Sequence, residues 1–398
     1  MVADRWLVFA ILFVTRATIA YQFQSVASIG PLLVEAAAID YATLGALIGS
    51  YMLPGVVLAL PGGLLDQRFG AKRTIVLGLL LMAAGGSLMT GGTTTLMFAG
   101  RLVSGAGAAI LNVVLARAVA SRFEDRELAL VMGAFVASWP LGIALALISL
   151  PVVALGLGWK AVMVTAALPS LACLAVFALV YRELPRGLTS RAGGLRLDLT
   201  TRDFRFACLA GLVWGLYNVT YVVLTSSLPE FFVDLGHSLT ESAAIASIFG
   251  WVLIVSLPLG GYMGQRLGHP NLAMGACFGV IAVAAVALVL TEATQASLAV
   301  LVIAIGLPAG LIMAVPSQVL AVEQRSTGMG IFFTVFYIAM TTLPGLAGLL
   351  RERTGQVTAP ILLCAATIVA AGIAVALLAW LRHQELRTAA PAGQVSSR

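Results

Sequence analysis

Apolar runs of about twenty residues, separated by short clusters of charged, glycine or proline positions, recur along almost the whole chain. A membrane-crossing helix needs about 20 predominantly apolar residues. Marking the runs predicts twelve such helices, near 5–30, 43–65, 74–91, 95–117, 128–155, 159–181, 205–229, 241–263, 271–291, 296–320, 327–350 and 358–381. The first run, Trp6 to Ile29, is too long for the apolar core of a cleaved signal and is expected to be a span. The one long polar stretch between spans, 182–204, falls at mid-chain. It predicts a bundle of six helices over 1–181, a cytoplasmic linker over 182–204, a second bundle over 205–382 and a cytoplasmic tail over 383–398.

Composition sharpens this picture. Sixty per cent of the residues are apolar and 10% charged, against about 25% charged in soluble domains. An ordinary soluble enzyme is excluded. The net charge of +6 raises the question of nucleic acid, but the positions of the basic residues answer it. With the N-terminus inside, 18 of the 23 Lys and Arg fall in inner loops and tails and three (Lys160, Arg351, Arg353) outside. The positive-inside rule then places both termini in the cytoplasm of an inner-membrane protein and leaves no case for nucleic acid. Cys173, Cys208, Cys277 and Cys364 stand singly in apolar runs, as helix-packing residues do. No metal or cofactor motif is present, and there is no Walker-type segment, HExxH or GxSxG.

The two halves share a repeat. Gly62, Gly63, Gln67, Arg68 and Gly70 recur as Gly260, Gly261, Gln265, Arg266 and Gly268, all at an offset of 198, and Pro31 and Pro229 share that offset. The segment after the second run, with Gly62, Leu64, Asp66, Arg68, Gly70, Lys72 and Arg73, resembles a signature of the major facilitator superfamily. A second signature, Arg-x-x-x-Gly-x-Gly, is matched by Arg101, Gly105 and Gly107, and Ser138, Trp139, Pro140 and Gly142 form a fragment of a third. The QFQSVASIGPLL run and the PLG of the fifth span are similar to the cyanate/nitroimidazole-permease-like branch. The resemblance implies an all-α membrane fold of twelve helices in two pseudo-symmetric bundles, rocking about a central cavity. It also implies gating roles for Gly62, Asp66, Arg68, Gly70, Arg73, Gly105, Gly107 and Pro140. One departure counts against a charge relay through Asp66: Gln67 intervenes before Arg68, and Gly264 stands in the corresponding place of the second copy.

An ionisable side chain inside a bilayer is expensive and is a functional candidate by default. Two are predicted at depth, both cationic. Arg16 follows Arg5 by eleven residues, roughly 16 Å of helix, near the midplane of a core about 30 Å thick. Arg101 sits about two turns into the fourth run, either as a cation of the cavity or as a tie capping backbone carbonyls. With no carboxylate beside them, they predict a positive site, and a guanidinium fork suits carboxylates and similar oxyanions. Tyr21, Gln22 and Gln24 on the first run and Trp214, Tyr217, Asn218 and Tyr221 on the seventh are the expected lining, with Phe336, Tyr337 and Thr341 on the eleventh. The expectation is a monomeric secondary transporter of a small, anionic solute. Its partners are that solute, membrane lipids and a proton or counter-anion. The competing readings are proton-coupled efflux of drug-like compounds and a non-transporting receptor or assembly protein on the same scaffold.

Overall fold

The computed structural model describes residues 5–180, 199–237, 239–291 and 294–389. Most of the predicted linker and the last part of the tail lie outside them. Among the described residues eleven helices are long and apolar enough to cross a membrane, and the helix Leu239–Leu267, with its apolar stretch Ile248–Gly264, takes the eighth place between them. Twelve spans result, arranged as two six-helix bundles.

Five spans are unbroken single helices that match their runs closely: Ala71–Met89 (third), Thr94–Ala120 (fourth), Trp159–Val180 (sixth), Leu239–Leu267 (eighth) and Pro270–Leu290 (ninth). The seventh, Thr201–Asp234, and the eleventh, Arg325–Thr354, are unbroken but longer than their apolar runs. The twelfth, Ala359–Ala389, carries its helix past the 382 boundary into the predicted tail.

The other four spans are interrupted. The second divides into Tyr41–Ser50 and Pro54–Phe69, and the tenth into Thr294–Gly306 and Ala309–Val319. Pro54 and Pro308 mark those breaks, because a proline cannot donate the hydrogen bond that would continue a helix. Two further breaks carry weaker sequence signals. The first span ends its helix Arg5–Gln24, turns through a 3-10 segment Ala27–Ile29 and resumes as Gly30–Ala37. The fifth divides at Ala137 into Asp125–Val136 and Ser138–Leu157.

Lipid tails are as apolar as the helices, so helices in a membrane associate by close packing of small residues rather than by a hydrophobic drive. The repeat glycines serve that end. Gly62 packs on the backbone of Ile110 in the fourth span, and its counterpart Gly260 on Leu307 in the tenth, each inside its own bundle. Gly63 and Gly261 face the other way. Gly63 presses on the Ser326 carbonyl of the eleventh span and Gly261 on the Ala129 carbonyl of the fifth, so each sits in a seam between bundles where a side chain would collide with backbone. Gly70 and Gly268 close the repeat. Both end their helices at positive φ, 85° and 68°, a region that L side chains rarely occupy.

Candidate functional site

Arg16 is buried on the first span at 6% exposure and points at the break in the fifth. Pro140 lacks the N–H that would bond the Val136 carbonyl, so the break exposes acceptors within the protein interior. The guanidinium takes them: Nη1 donates to the carbonyls of Val136 (3.0 Å) and Phe135 (3.2 Å) and to Ser138 Oγ (3.1 Å). The rings of Phe135 and Trp139 lie 5.0 and 5.8 Å from its central carbon. All three bonds use one nitrogen. The Nε–Nη2 edge of the fork makes no hydrogen bond among the described residues.

Across the seam stands the Tyr337 phenol of the eleventh span, 2% exposed. It accepts a 2.9 Å bond from Nδ2 of Asn112 on the fourth span. Its ring fits because residue 55, in the second span, is glycine; a Cβ there would enter the ring. Asn112 is 5% exposed and its Oδ1 has no partner. Asn112 and Tyr337 thus join the fourth and eleventh spans and, with them, the two bundles. A train of rings continues from Tyr337 through Phe336 (4.9 Å) and Trp214 (6.2 Å) to Tyr217 (5.5 Å). The predicted Trp214, Tyr217 and Tyr337 are therefore brought together, with Tyr221 half-buried on the same helix.

Other predicted lining residues point elsewhere. Tyr21 pairs with Ser149 (2.8 Å) and Gln22 Nε2 donates to the Met82 carbonyl (2.9 Å), both inside the first bundle. Asn218 bonds back to the Trp214 carbonyl of its own helix, Gln24 is half-buried, and Thr341 is exposed. Asn112 is absent from the predicted lining because that lining was drawn from the first, seventh and eleventh spans and Asn112 lies on the fourth; a lone amide between Leu111 and Val113 was the signal.

Arg101 is the counterpart of Arg16 in burial and its opposite in bonding. It is 0% exposed, and Nε, Nη1 and Nη2 are all engaged: Nε with Leu47 O (3.0 Å), Nη1 with Gln22 O (3.2 Å), Nη2 with Phe23 O (3.1 Å) and Ile48 O (3.3 Å). Tyr51 lies 4.5 Å from its cationic carbon. These carbonyls belong to the helix ends at the breaks in the first and second spans, where the regular helical ladder stops; Gln22 O also accepts from Ser25 and Leu47 O from the Ser50 hydroxyl. Gly105 packs on the Tyr51 carbonyl at the same break and Gly107 on Gly78 of the third span. Of the two expectations for Arg101, this geometry matches the tie.

At one end of the molecule Asp66 corrects the expectation drawn from its spacing. It is 3% exposed and forms an ion pair with Arg117 of the fourth span, through Nη2 to Oδ1 (2.7 Å) and Nε to Oδ2. Ser326 Oγ of the eleventh span donates to Oδ2 at 2.7 Å. The inserted Gln67 does not matter, because the partner is a distant arginine and not Arg68. Arg68 and Arg73 are exposed, with Arg68 lying over the Phe69 ring. At the corresponding position of the second half Gly264 has no side chain to pair and packs on Leu311.

The sequence pattern of the Major Facilitator Superfamily matches residues 12–320 and, a second time, residues 206–397. The chain belongs to that superfamily. Its relatives in the superfamily include the cyanate transport protein CynX of Escherichia coli (27% identical, over 56% of this chain and 58% of the relative). The 2-nitroimidazole transporter of the same organism is 30% identical over 45% of each. The hexuronate transporter of Bacillus subtilis is 21% identical over 87% of each. The chain thus spans about half the length of the first two. Solved superfamily structures with the same fold include the proton:xylose symporter XylE (14% identity, 93% of this chain and 94% of that one, TM-score 0.73) and the human organic anion transporter MFSD10 (16%, 93% and 99%, 0.72).

Proposed function

We propose that the chain is a secondary transporter that moves a small organic or inorganic anion by alternating access of its two bundles, with Arg16 as the group that binds the charge. The observation that carries this reading is a buried guanidinium held through Nη1 alone, whose Nε–Nη2 edge makes no hydrogen bond to the described residues. Two parallel N–H groups on one edge match the two oxygens of a carboxylate. Arg101 cannot serve in this way, because its nitrogens are taken by carbonyls. The names of the relatives agree with an anion in two cases, cyanate and hexuronate, and the human neighbour is described as an organic anion transporter.

The remaining details follow the same reading. The end that carries Arg68, Lys72, Arg73, Arg117, Arg122 and Arg126 is cytoplasmic by the positive-inside rule, in an inner membrane, and the Asp66–Arg117–Ser326 contact holds the bundles together there. Among the described residues no carboxylate lies at mid-span, so coupling runs through exchange or through protonation of the cargo itself. A second reading, a neutral heteroaromatic cargo, is favoured by the ring train from Tyr217 to Tyr337 and by the relative named for 2-nitroimidazole.

Counterflow in proteoliposomes with a panel of carboxylates, cyanate, nitrate and neutral heteroaromatics tests both. Arg16→Ala and Arg16→Lys are expected to lower anion uptake about tenfold to a hundredfold, the worth of a charged hydrogen bond of about 1.5–3 kcal/mol, while the protein still reaches the membrane. Full anion uptake by Arg16→Ala overturns the assignment, and counterflow of heteroaromatics alone selects the second reading.

A further inference from the structure

Resting on the anion reading, we infer that the half-helix Asp125–Val136 of the fifth span couples cargo binding to movement: it rides with the second bundle, and Arg16 is its releasable tether to the first. The half-helix is first-bundle by sequence but lies chiefly against the eighth span and the half-helix Ala309–Val319 of the tenth. Backbone meets backbone there. Gly133 faces the Leu257 carbonyl and Pro258 of the eighth span, and the Ala129 carbonyl is approached by Gly261 of the eighth and Gly310 of the tenth, at positions where a Cβ would collide. Toward the first span the half-helix is held near its two ends. At the exposed end Arg5 donates to Glu127, Nη1 to Oε2 at 2.7 Å and Nη2 to Oε1 at 3.2 Å, and an exposed ion pair adds little. At the buried end Arg16 donates to the Phe135 and Val136 carbonyls.

The end of a helix carries roughly half a negative charge on its last carbonyls. A cation holds such an end well, and a neutral group holds it poorly. With its Nε–Nη2 edge free, Arg16 is a cation; with an anion on that edge, the pair has no net charge. Its attraction for the helix end then falls from charge against dipole to dipole against dipole, and the Nη1 bonds lose the strength that a charged donor gives them. The cargo therefore loosens the tether by occupying the far side of the same guanidinium. The glycine contacts with the second bundle do not depend on charge, so they persist and the half-helix follows that bundle. Arg101 also holds helix-end carbonyls, but Nε, Nη1 and Nη2 are all engaged. No edge remains there for an anion, and that tie stays fixed.

The test is pulsed electron-electron resonance on the full chain in lipid nanodiscs, in a background lacking the four native cysteines. A spin label at Arg126→Cys on the half-helix is paired with one at Arg68→Cys in the first bundle or Arg382→Cys in the second, all three positions being exposed. Acetate, glucuronate, cyanate and nitrate are the probes, and calorimetry reads their binding to the same samples. An anion that binds is expected to shift the distance to the first bundle by about 2 Å or more and to leave the distance to the second bundle unchanged. Arg16→Leu without any anion is expected to do the same. Bundles that rock as rigid bodies give the reverse, a fixed distance to the first bundle and a changed one to the second. That result, or a bound anion that leaves the distance to the first bundle unchanged, overturns the inference while the anion reading stands. So does a folded Arg16→Leu variant in which that distance does not move. If none of the four anions binds, or binding is undiminished in Arg16→Leu, the anion reading falls and the inference with it. The titration with anions keeps Arg16, so it decides even if Arg16→Leu does not fold.

Discussion

Ser326→Ala removes one hydrogen bond and should open one end of the protein. The Ser326 hydroxyl donates to Asp66 Oδ2 at 2.7 Å across the seam between the second and eleventh spans. Asp66 keeps Arg117 in the variant, so the first bundle is not left with an uncompensated buried charge. The bond is well shielded, with the Asp66 side chain 1% and Ser326 as a residue 9% exposed. A hydrogen bond to a charged group contributes about 1.5–3 kcal/mol, which corresponds to roughly a 10- to 150-fold shift in the balance between closed and open seam. A minor open population of about 1% would rise to about a tenth or more. Pulsed electron-electron resonance between spin labels at Arg68→Cys and Glu323→Cys, both exposed at this end, in a background lacking the four native cysteines, reads that population directly. The longer-distance component should grow in Ser326→Ala. An unchanged distance distribution in both Ser326→Ala and Asp66→Asn would refute the reasoning and place the closing energy in the glycine contacts.

Other outcomes follow from the same geometry. Arg101→Ala strands the Phe23 and Ile48 carbonyls at the two helix breaks, whereas Gln22 O keeps Ser25 and Leu47 O keeps the Ser50 hydroxyl; at about 1–3 kcal/mol for each group left unpaired, the melting temperature in detergent should fall, and an unchanged value would argue against the tie. Pro140→Ala supplies an N–H that competes with Arg16 for the Val136 carbonyl, and anion affinity should drop severalfold at unchanged expression, as measured by equilibrium binding. In the turn before the second span, hydrogen bonds from the Thr43 side chain and then its backbone N–H hold the Asp40 carboxyl below its ordinary range. A lowered folded-state value means that the cap is present at neutral pH and is lost only as pH falls through that lowered value. Titration of the Asp40 carboxyl by NMR at or above the ordinary range would contradict it.

The twelve spans, the two halves and the glycine repeat were legible in the sequence because a bilayer imposes one length scale and because a duplicated unit keeps its offset. Depth arithmetic found both buried arginines but could not separate them. What separates them is which backbone carbonyls lie opposite, and that depends on breaks in the first and fifth spans that hydropathy alone smooths over. Spacing misjudged Asp66 for a related reason: its partner Arg117 is remote in sequence, so the insertion of Gln67 next to Asp66 changes nothing. Tyr21 and Gln22 share a helix with Arg16 but face neighbours within the first bundle. Asn112 stayed out of the predicted lining because it lies on the fourth span, and only packing shows it meeting Tyr337 of the other bundle.

The break in the fifth span can be described as a fragment of frozen solvent. Two carbonyl oxygens and a hydroxyl stand around one nitrogen of Arg16 as water would, but they are fixed in the backbone and cannot reorient. A cation hydrated by mobile water must rearrange its shell each time an anion arrives and leaves; this one has that shell on one side permanently and keeps the other side ready. The energetic cost of carrying a charge into the membrane is therefore met once, at folding, rather than in every transport cycle.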